Sequence, residues 1–189
     1  MRKYFYITIL VAFVGTTTFA QQFDLSAEIR PRYENRHGFG TLLPTNADGA
    51  NFVSQRTRLN FDFSQDKIKL GVSLQNVRTW GDISTLGADD QATMLHEAWA
   101  QALLTDNFSV KLGRQEIVYD DHRIFGNVGW AQQARSHDAM IAKFSLSEKS
   151  KLDVGFALNA DAQTNIDNLY SNTAGYKTFQ YAWYHTDFS

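Results

Sequence analysis

Residues 51–75 read NFVSQRTRLNFDFSQDKIKLGVSLQ. Val53, Thr57, Leu59, Phe61 and Phe63 share one parity, while Ser54, Arg56, Arg58, Asn60 and Asp62 share the other. Strict alternation with period two marks a strand that has one apolar and one polar face. Ser64-Gln65-Asp66 is a tight polar turn, after which Ile68, Leu70, Val72 and Leu74 oppose Lys69, Gly71, Ser73 and Gln75. Two long alternating segments around a short turn predict an antiparallel hairpin.

The same rhythm extends in both directions. Upstream, Phe23, Leu25, Ala27 and Ile29 alternate with Asp24, Ser26, Glu28, Arg30 and Arg32. Downstream, a strand over about Met94 to Leu104 sets Ala98, Ala100, Ala102 and Leu104 against Glu97, Trp99 and Gln101. Thr105-Asp106-Asn107 then turns into Phe108, Val110 and Leu112. A sixth strand places Met140, Ala142, Phe144 and Leu146 opposite Arg135, His137, Ala139 and Lys143. A seventh places Leu152, Val154, Phe156 and Leu158 opposite Asp153, Gly155, Ala157 and Asn159. In the eighth, about Tyr176 to Asp187, Phe179, Tyr181 and Trp183 alternate with Gln180, Ala182 and Tyr184.

Alternation alone also fits a soluble sandwich. Three features point instead to an all-β, transmembrane antiparallel barrel of which about eight strands are present. The segments have the length a tilted strand needs to cross a bilayer. Short and long connections alternate, as they do when one rim faces the periplasm and the other the exterior. Aromatic residues stand near strand ends, at Tyr33, Phe63, Trp80, Phe108, Tyr119, Trp130 and Tyr176, where rings favour a membrane interface.

The ends and the composition agree with that expectation. Arg2 and Lys3 precede an apolar run from Tyr4 to Gly15, and Thr18-Phe19-Ala20 presents small residues for signal peptidase. Residues 1–20 therefore read as a signal peptide cleaved near Ala20, with 21–189 as the barrel domain in a Gram-negative outer membrane. The chain of 189 residues holds 18 basic and 20 acidic side chains, a balance that offers nothing to nucleic acid. It has no cysteine, which excludes a disulfide scaffold.

In a water-filled barrel the polar parity lines the lumen. That places Arg30, Arg32, Arg56, Arg58, Lys69, Lys111, Arg135 and Lys143 inside, against Asp24, Glu28, Asp62, Glu97 and Asp153. Such a wall is mildly cationic, and charged walls select solutes through their local field. Guanidinium groups donate paired hydrogen bonds to carboxylates, so an anionic solute is the expected partner. Arg30/Arg32 and Arg56/Arg58 each project from one face. Two segments break the register: Asn76 and Arg78 continue the apolar parity of Ile68 to Leu74, and Arg114 and Glu116 continue that of Phe108 to Leu112. Either these residues lie above the hydrocarbon or a β-bulge flips the parity.

No enzyme is expected, and no cofactor or metal. His96-Glu97 lacks the second histidine of a zinc-protease helix. Asp120, Asp121 and His122 read as a solvated loop, and the scattered serines and histidines define no triad.

The order and spacing of several short pieces resemble the alginate-export family of outer-membrane barrels, in a form similar to those of Bacteroidetes. The pieces are Arg30-Pro31-Arg32-Tyr33-Glu34, Gln55-Arg56-Thr57-Arg58-Leu59 and Val77-Arg78-Thr79-Trp80-Gly81-Asp82. They continue with His96-Glu97-Ala98-Trp99 and Gly113-Arg114-Gln115-Glu116, then Trp130, Gln132, and Arg135 with Asp138. The resemblance implies a monomeric porin of about eighteen strands, inserted into outer-membrane lipid by the barrel assembly machinery. Its arginine-rich lumen would pass an anionic polysaccharide such as alginate. It singles out Arg30, Arg58, Arg78, Arg114 and Arg135 as wall residues, with Glu97 and Glu116 as charge partners beside Glu28. The chain is then expected to be the first part of a larger barrel. The alternative expectation is a small closed eight-stranded barrel, filled by side chains, acting as a membrane anchor or surface-interaction protein.

Overall fold

A computed structural model of the chain describes residues 21–87, 89, 92–160 and 175–188. The expected signal peptide over residues 1–20 lies outside the described residues, as does most of the last long connection. Eight strands form one antiparallel sheet in chain order: β1 (Gln22–Arg36), β2 (Ala50–Gln65), β3 (Ile68–Thr79), β4 (Thr93–Thr105), β5 (Phe108–Gln115), β6 (His137–Ser145), β7 (Ser150–Leu158) and β8 (Thr178–Thr186). Every strand read from alternation is present. Short connections at 66–67, 106–107 and 146–149 alternate with long ones at 37–49, 80–92, 116–136 and 159–177.

The sheet is open. Its order runs from β1 to β8, and these two outer strands do not pair with each other among the described residues. This corrects the expected transmembrane barrel. The expectations that stood on closure fall with it: the outer-membrane porin or channel with a lumen, the small closed barrel serving as anchor, and the multi-pass outer-membrane location. The physical reason is that alternation fixes which side of each strand is apolar, while closure needs an additional ladder between the first and last strands. No helix among the described residues is long and apolar enough to cross a membrane, a statement that concerns helices alone.

The two faces differ as the parity requires. One carries Phe23, Leu25, Ile29, Leu70, Val72, Leu112, Val154, Phe156 and Leu158, all exposed, with Ile29 at 70%. The other, here called the inner face, is where burial concentrates. Its β1–β2 part pairs Asp24 with Asp62, Glu28 with Arg58 and Arg30 with Arg56. Toward β6–β8 the inner face turns apolar. Ile117, Ala139, Ile141 and Ala157 are buried there, packed by Tyr119, Phe125, Tyr176, Phe179 and Tyr181. A uniformly polar, water-filled wall is therefore not what the strands build.

Glycines on this face permit close approach, by a ring at Gly155 and by backbone at Gly113. Gly155 is the cross-strand partner of Tyr181, and a Cβ on it would overlap the Tyr181 ring. Gly113 pairs with Trp99 and adopts φ 119°, a conformation glycine alone takes without strain. A Cβ there would overlap the Ala98 carbonyl oxygen and approach Trp99 Cα at 3.0 Å. The Trp99 ring in turn carries Lys111 Nζ 3.9 Å from its centroid, a cation–π contact.

A β-bulge lies in β4, and it leaves the parity of Asn76 and Arg78 in β3 unflipped. Ser73 pairs with Glu97 and Leu74 with Leu95, leaving His96 as the extra residue. The β2–β3 ladder itself continues without interruption through Asn76 and Arg78, so those two keep the apolar parity at the end of β3.

Gly113→Ala should destabilise the chain by roughly 3 kcal/mol, combining backbone strain with overlap. A urea denaturation midpoint equal to wild type would refute the close approach of β4 and β5 at this point.

Candidate functional site

The centre of the inner face is set by two arginines facing each other. Arg30 and Arg56 are cross-strand partners on β1 and β2, and like charges directly opposite one another are destabilising unless acceptors are supplied. The 116–136 connection supplies them. It leaves β5, crosses the inner face and presents its backbone to the arginines.

Arg30 Nη1 donates to the Gly129 carbonyl at 2.7 Å and Nη2 to the Ala131 carbonyl at 3.0 Å. Its Nε and Nη2 both donate to Gln132 Oε1, at 3.2 and 2.9 Å. Arg32 Nη1 donates to the Trp130 carbonyl at 2.7 Å and the same side chain pairs with Glu34 at 2.8 Å. Arg56 is buried and donates to Glu28 Oε1 through Nε at 2.9 Å and Nη2 at 2.6 Å. Its Nη1 reaches the Ala131 and Gln132 carbonyls at 3.4 and 3.5 Å. The Gln132 amide returns the contact, donating to Ser54 Oγ at 2.9 Å and the Ser54 carbonyl at 3.1 Å. Gln75, fully buried, donates to the Gln133 carbonyl at 2.9 Å.

A second node fixes the start of this connection. Glu116 Oε1 accepts from His96 Nε2 at 2.8 Å and from Arg58 Nη1 at 3.4 Å, while Oε2 accepts from Asn127 at 2.7 Å. The Glu116 amide donates to Glu97 Oε1 at 2.8 Å. Burial alone would raise the Glu116 pKa, but the hydrogen bonds from His96 and Asn127 and the charges of His96 and Arg58 outweigh it and hold the carboxyl below its ordinary value. Arg58 also donates to Gln75 Oε1 at 2.6 Å, yet its Nη2 is buried with no hydrogen-bond partner among the described residues.

The connection is itself strained. Val128 and Ala134 have φ 51° and 53°, values that cost a β-branched or alanyl residue energy of about 1–3 kcal/mol each. Only a segment held firmly from outside keeps such geometry.

Of the residues singled out from sequence, Arg30, Arg32, Arg56, Arg58, Glu28, Glu97 and Glu116 thus converge on one region of the inner face. Arg78 and Arg114 do not join them. Arg114 follows the apolar parity and pairs with Asp138 at 2.9 Å, and Arg78 Nε donates to Asn76 at 2.8 Å. Arg135 is exposed. Gln75, Ser54, Asn127 and the carbonyls of 129–133 had no role in the sequence reading. Nothing in a loop's composition signals that its backbone will be the ligand. A separate cleft of about 460 Å³ lies at the short-turn end, lined by Tyr119, Lys143, Asp153 and Trp183 among others. Tyr119 stacks on Trp183 at 4.5 Å, and His185 lies parallel to the same indole at 5.4 Å. No group of three histidine or acidic side chains suited to a metal exists among the described residues.

The family profile described as alginate export matches residues 20–172. No curated protein and no solved structure matches the chain.

Gln132→Ala should cost about 2 kcal/mol in urea unfolding, because it leaves Arg30 Nε without its acceptor and removes the donor to the Ser54 carbonyl. An unchanged midpoint would show the connection is not pinned there. Glu116 has a depressed folded-state pKa, so its contribution is present above the ordinary carboxylate pKa and is lost as pH falls through the folded value. Stability measured across the acid range should fall less steeply for Glu116→Gln than for wild type, and identical slopes would contradict the assignment.

Proposed function

The chain belongs to the alginate-export family, and on that premise we propose that the arginine-bearing region of its inner face binds a carboxylated polysaccharide. The family is one of transport proteins and not of catalysts, so recognition rather than turnover is the chemistry to be explained.

One observation carries the reading. Arg30 is held by the Gly129 and Ala131 carbonyls and the Gln132 amide, all neutral acceptors. These satisfy its hydrogen bonds and leave its charge in place. Arg32, partly exposed, stands one residue further along the same face. Arg32, Arg56 and Arg58 pair with Glu34, Glu28 and Glu116, so Arg30 is the guanidinium of this cluster whose charge no bonded carboxylate offsets among the described residues. Guanidinium groups engage carboxylates through paired, charge-assisted hydrogen bonds, about twice as strong as neutral ones. A polymer with a carboxylate on every ring offers such groups at regular intervals.

In this reading Arg30 and Arg32 contact the polymer. Arg56, buried, and Arg58, half-buried, tied to Glu28, Gln75 and Glu116, position them. Glu97 acts through the Glu116 backbone. Arg114 lies on the opposite face and serves as an internal control.

Titration calorimetry with alginate oligomers tests this. Arg32→Gln should weaken binding by about tenfold, the loss of one charge-assisted pair. Arg114→Gln should leave it unchanged, and added salt should weaken binding to wild type. Equal affinity for Arg32→Gln and wild type, or binding of neutral glucans as tight as alginate, would overturn the reading.

A further inference from the structure

We infer that residues 127–134 form a displaceable strap, an internal stand-in whose peptide carbonyls occupy the arginine cluster until ligand carboxylates replace them. This rests on the binding reading above and specifies how that site is regulated.

Three independent features support it. First, the acceptors are of the wrong kind to be final. Residues 127–134 read NVGWAQQA, without a single carboxylate. Consecutive peptide oxygens from Gly129 to Gln132 instead occupy the guanidinium donors of Arg30, Arg32 and Arg56. Neutral carbonyls lose in direct competition with carboxylates for the same donors.

Second, the closed arrangement leaves hydrogen bonding unfinished. Arg58 Nη2 is buried with no acceptor among the described residues, an unmet donor that carries a desolvation cost. A carboxylate entering as the strap leaves would meet it.

Third, the strap is held in an unfavourable backbone conformation. Val128 and Ala134 bracket the carbonyl run at positive φ, and release lets both relax. Fixed points stand at both flanks. Asn127 is bonded to Glu116 and Arg135 N to the Asn127 carbonyl at 2.7 Å, so the segment between them can lift while its ends stay tethered. Trp130, 76% exposed on the strap, contributes its carbonyl and not its ring to the closure.

The occupied and open states exchange one set of acceptors for another at the same arginines. Ligand affinity is therefore reduced by the fraction of time the strap is closed.

Amide hydrogen exchange of the full chain, with and without an alginate tetramer at saturation, reads the strap directly. Exchange at Gly129 and Ala131, whose amides donate to Asn127 Oδ1 and the Val128 carbonyl, should accelerate by about tenfold on binding, as expected for opening of a protected segment. Slower exchange there, with calorimetry showing binding, would mean the polymer lies over an intact strap and would overturn the inference while leaving the binding reading standing. Absence of alginate binding by wild type would overturn both. Val128→Gly provides the second test, since glycine accepts the observed φ and removes the incentive to open. It should bind the tetramer roughly tenfold more weakly than wild type while remaining folded. Affinity equal to or tighter than wild type would refute the coupling.

Discussion

The apposition of Arg30 and Arg56 across β1 and β2 is the constraint on which the middle of the structure depends. Two guanidinium groups brought together by backbone register repel one another and lose hydration as they are covered. Burial and the charge of Arg56 accordingly lower the Arg30 pKa. Glu28 answers for Arg56. For Arg30 the answer comes from a segment about a hundred residues further along the chain, whose carbonyls close over it. Once that segment is drawn in, the burial of Gln75, Gln132 and Ser54 follows, because each satisfies a polar group the crossing would otherwise strand.

The inner face solves the same covering problem differently at its two ends. Over β1–β3 it is polar and is covered by backbone. Over β6–β8 small residues, Ala139, Gly155 and Ala157, leave space that rings fill. Tyr119 stands near the junction. Its hydroxyl donates to Asp153 at 2.8 Å, and its ring meets Phe125, Tyr181 and Trp183. The 116–136 connection is therefore anchored at its base by apolar packing and across its span by hydrogen bonds. Those two kinds of force differ in what dissolves them: salt and competing anions act on the second and hardly on the first.

Alternation made all eight strands, their short turns and the inward direction of Arg30, Arg32, Arg56 and Arg58 legible, because side-chain parity is a local property of extended chain. Closure was not legible. Whether β8 meets β1 depends on curvature and on a ladder between distant residues, and neither leaves a mark on period-two patterning. The His96 bulge was not legible, since one extra residue in β4 alters no composition, and it does not flip the parity at Asn76 and Arg78. In β8 the alternating set Phe179, Tyr181 and Trp183 turns inward, opposite Ala157, Gly155 and Asp153. Small partners across the ladder decide that, and the aromatic character of the strand itself does not. The strap was least legible of all, for its contribution is made by peptide groups that every residue carries.

That a backbone rather than an acidic side chain satisfies Arg30 separates two quantities that usually travel together. A carboxylate at position 132 would have accepted from Arg30 and cancelled its charge, giving a static ion pair with little left for a ligand, and would have lost the donor that Nε2 offers the Ser54 carbonyl. Gln132, nearly isosteric with a glutamate, completes the bonds through Oε1 and Nε2 and cancels nothing. The region is thus stable in the absence of a polyanion and still attractive to one. The strained backbone at Val128 is tolerated because the strap is retained by many guanidinium hydrogen bonds to uncharged acceptors, whose sum is enough to hold it and each of which a carboxylate can take over.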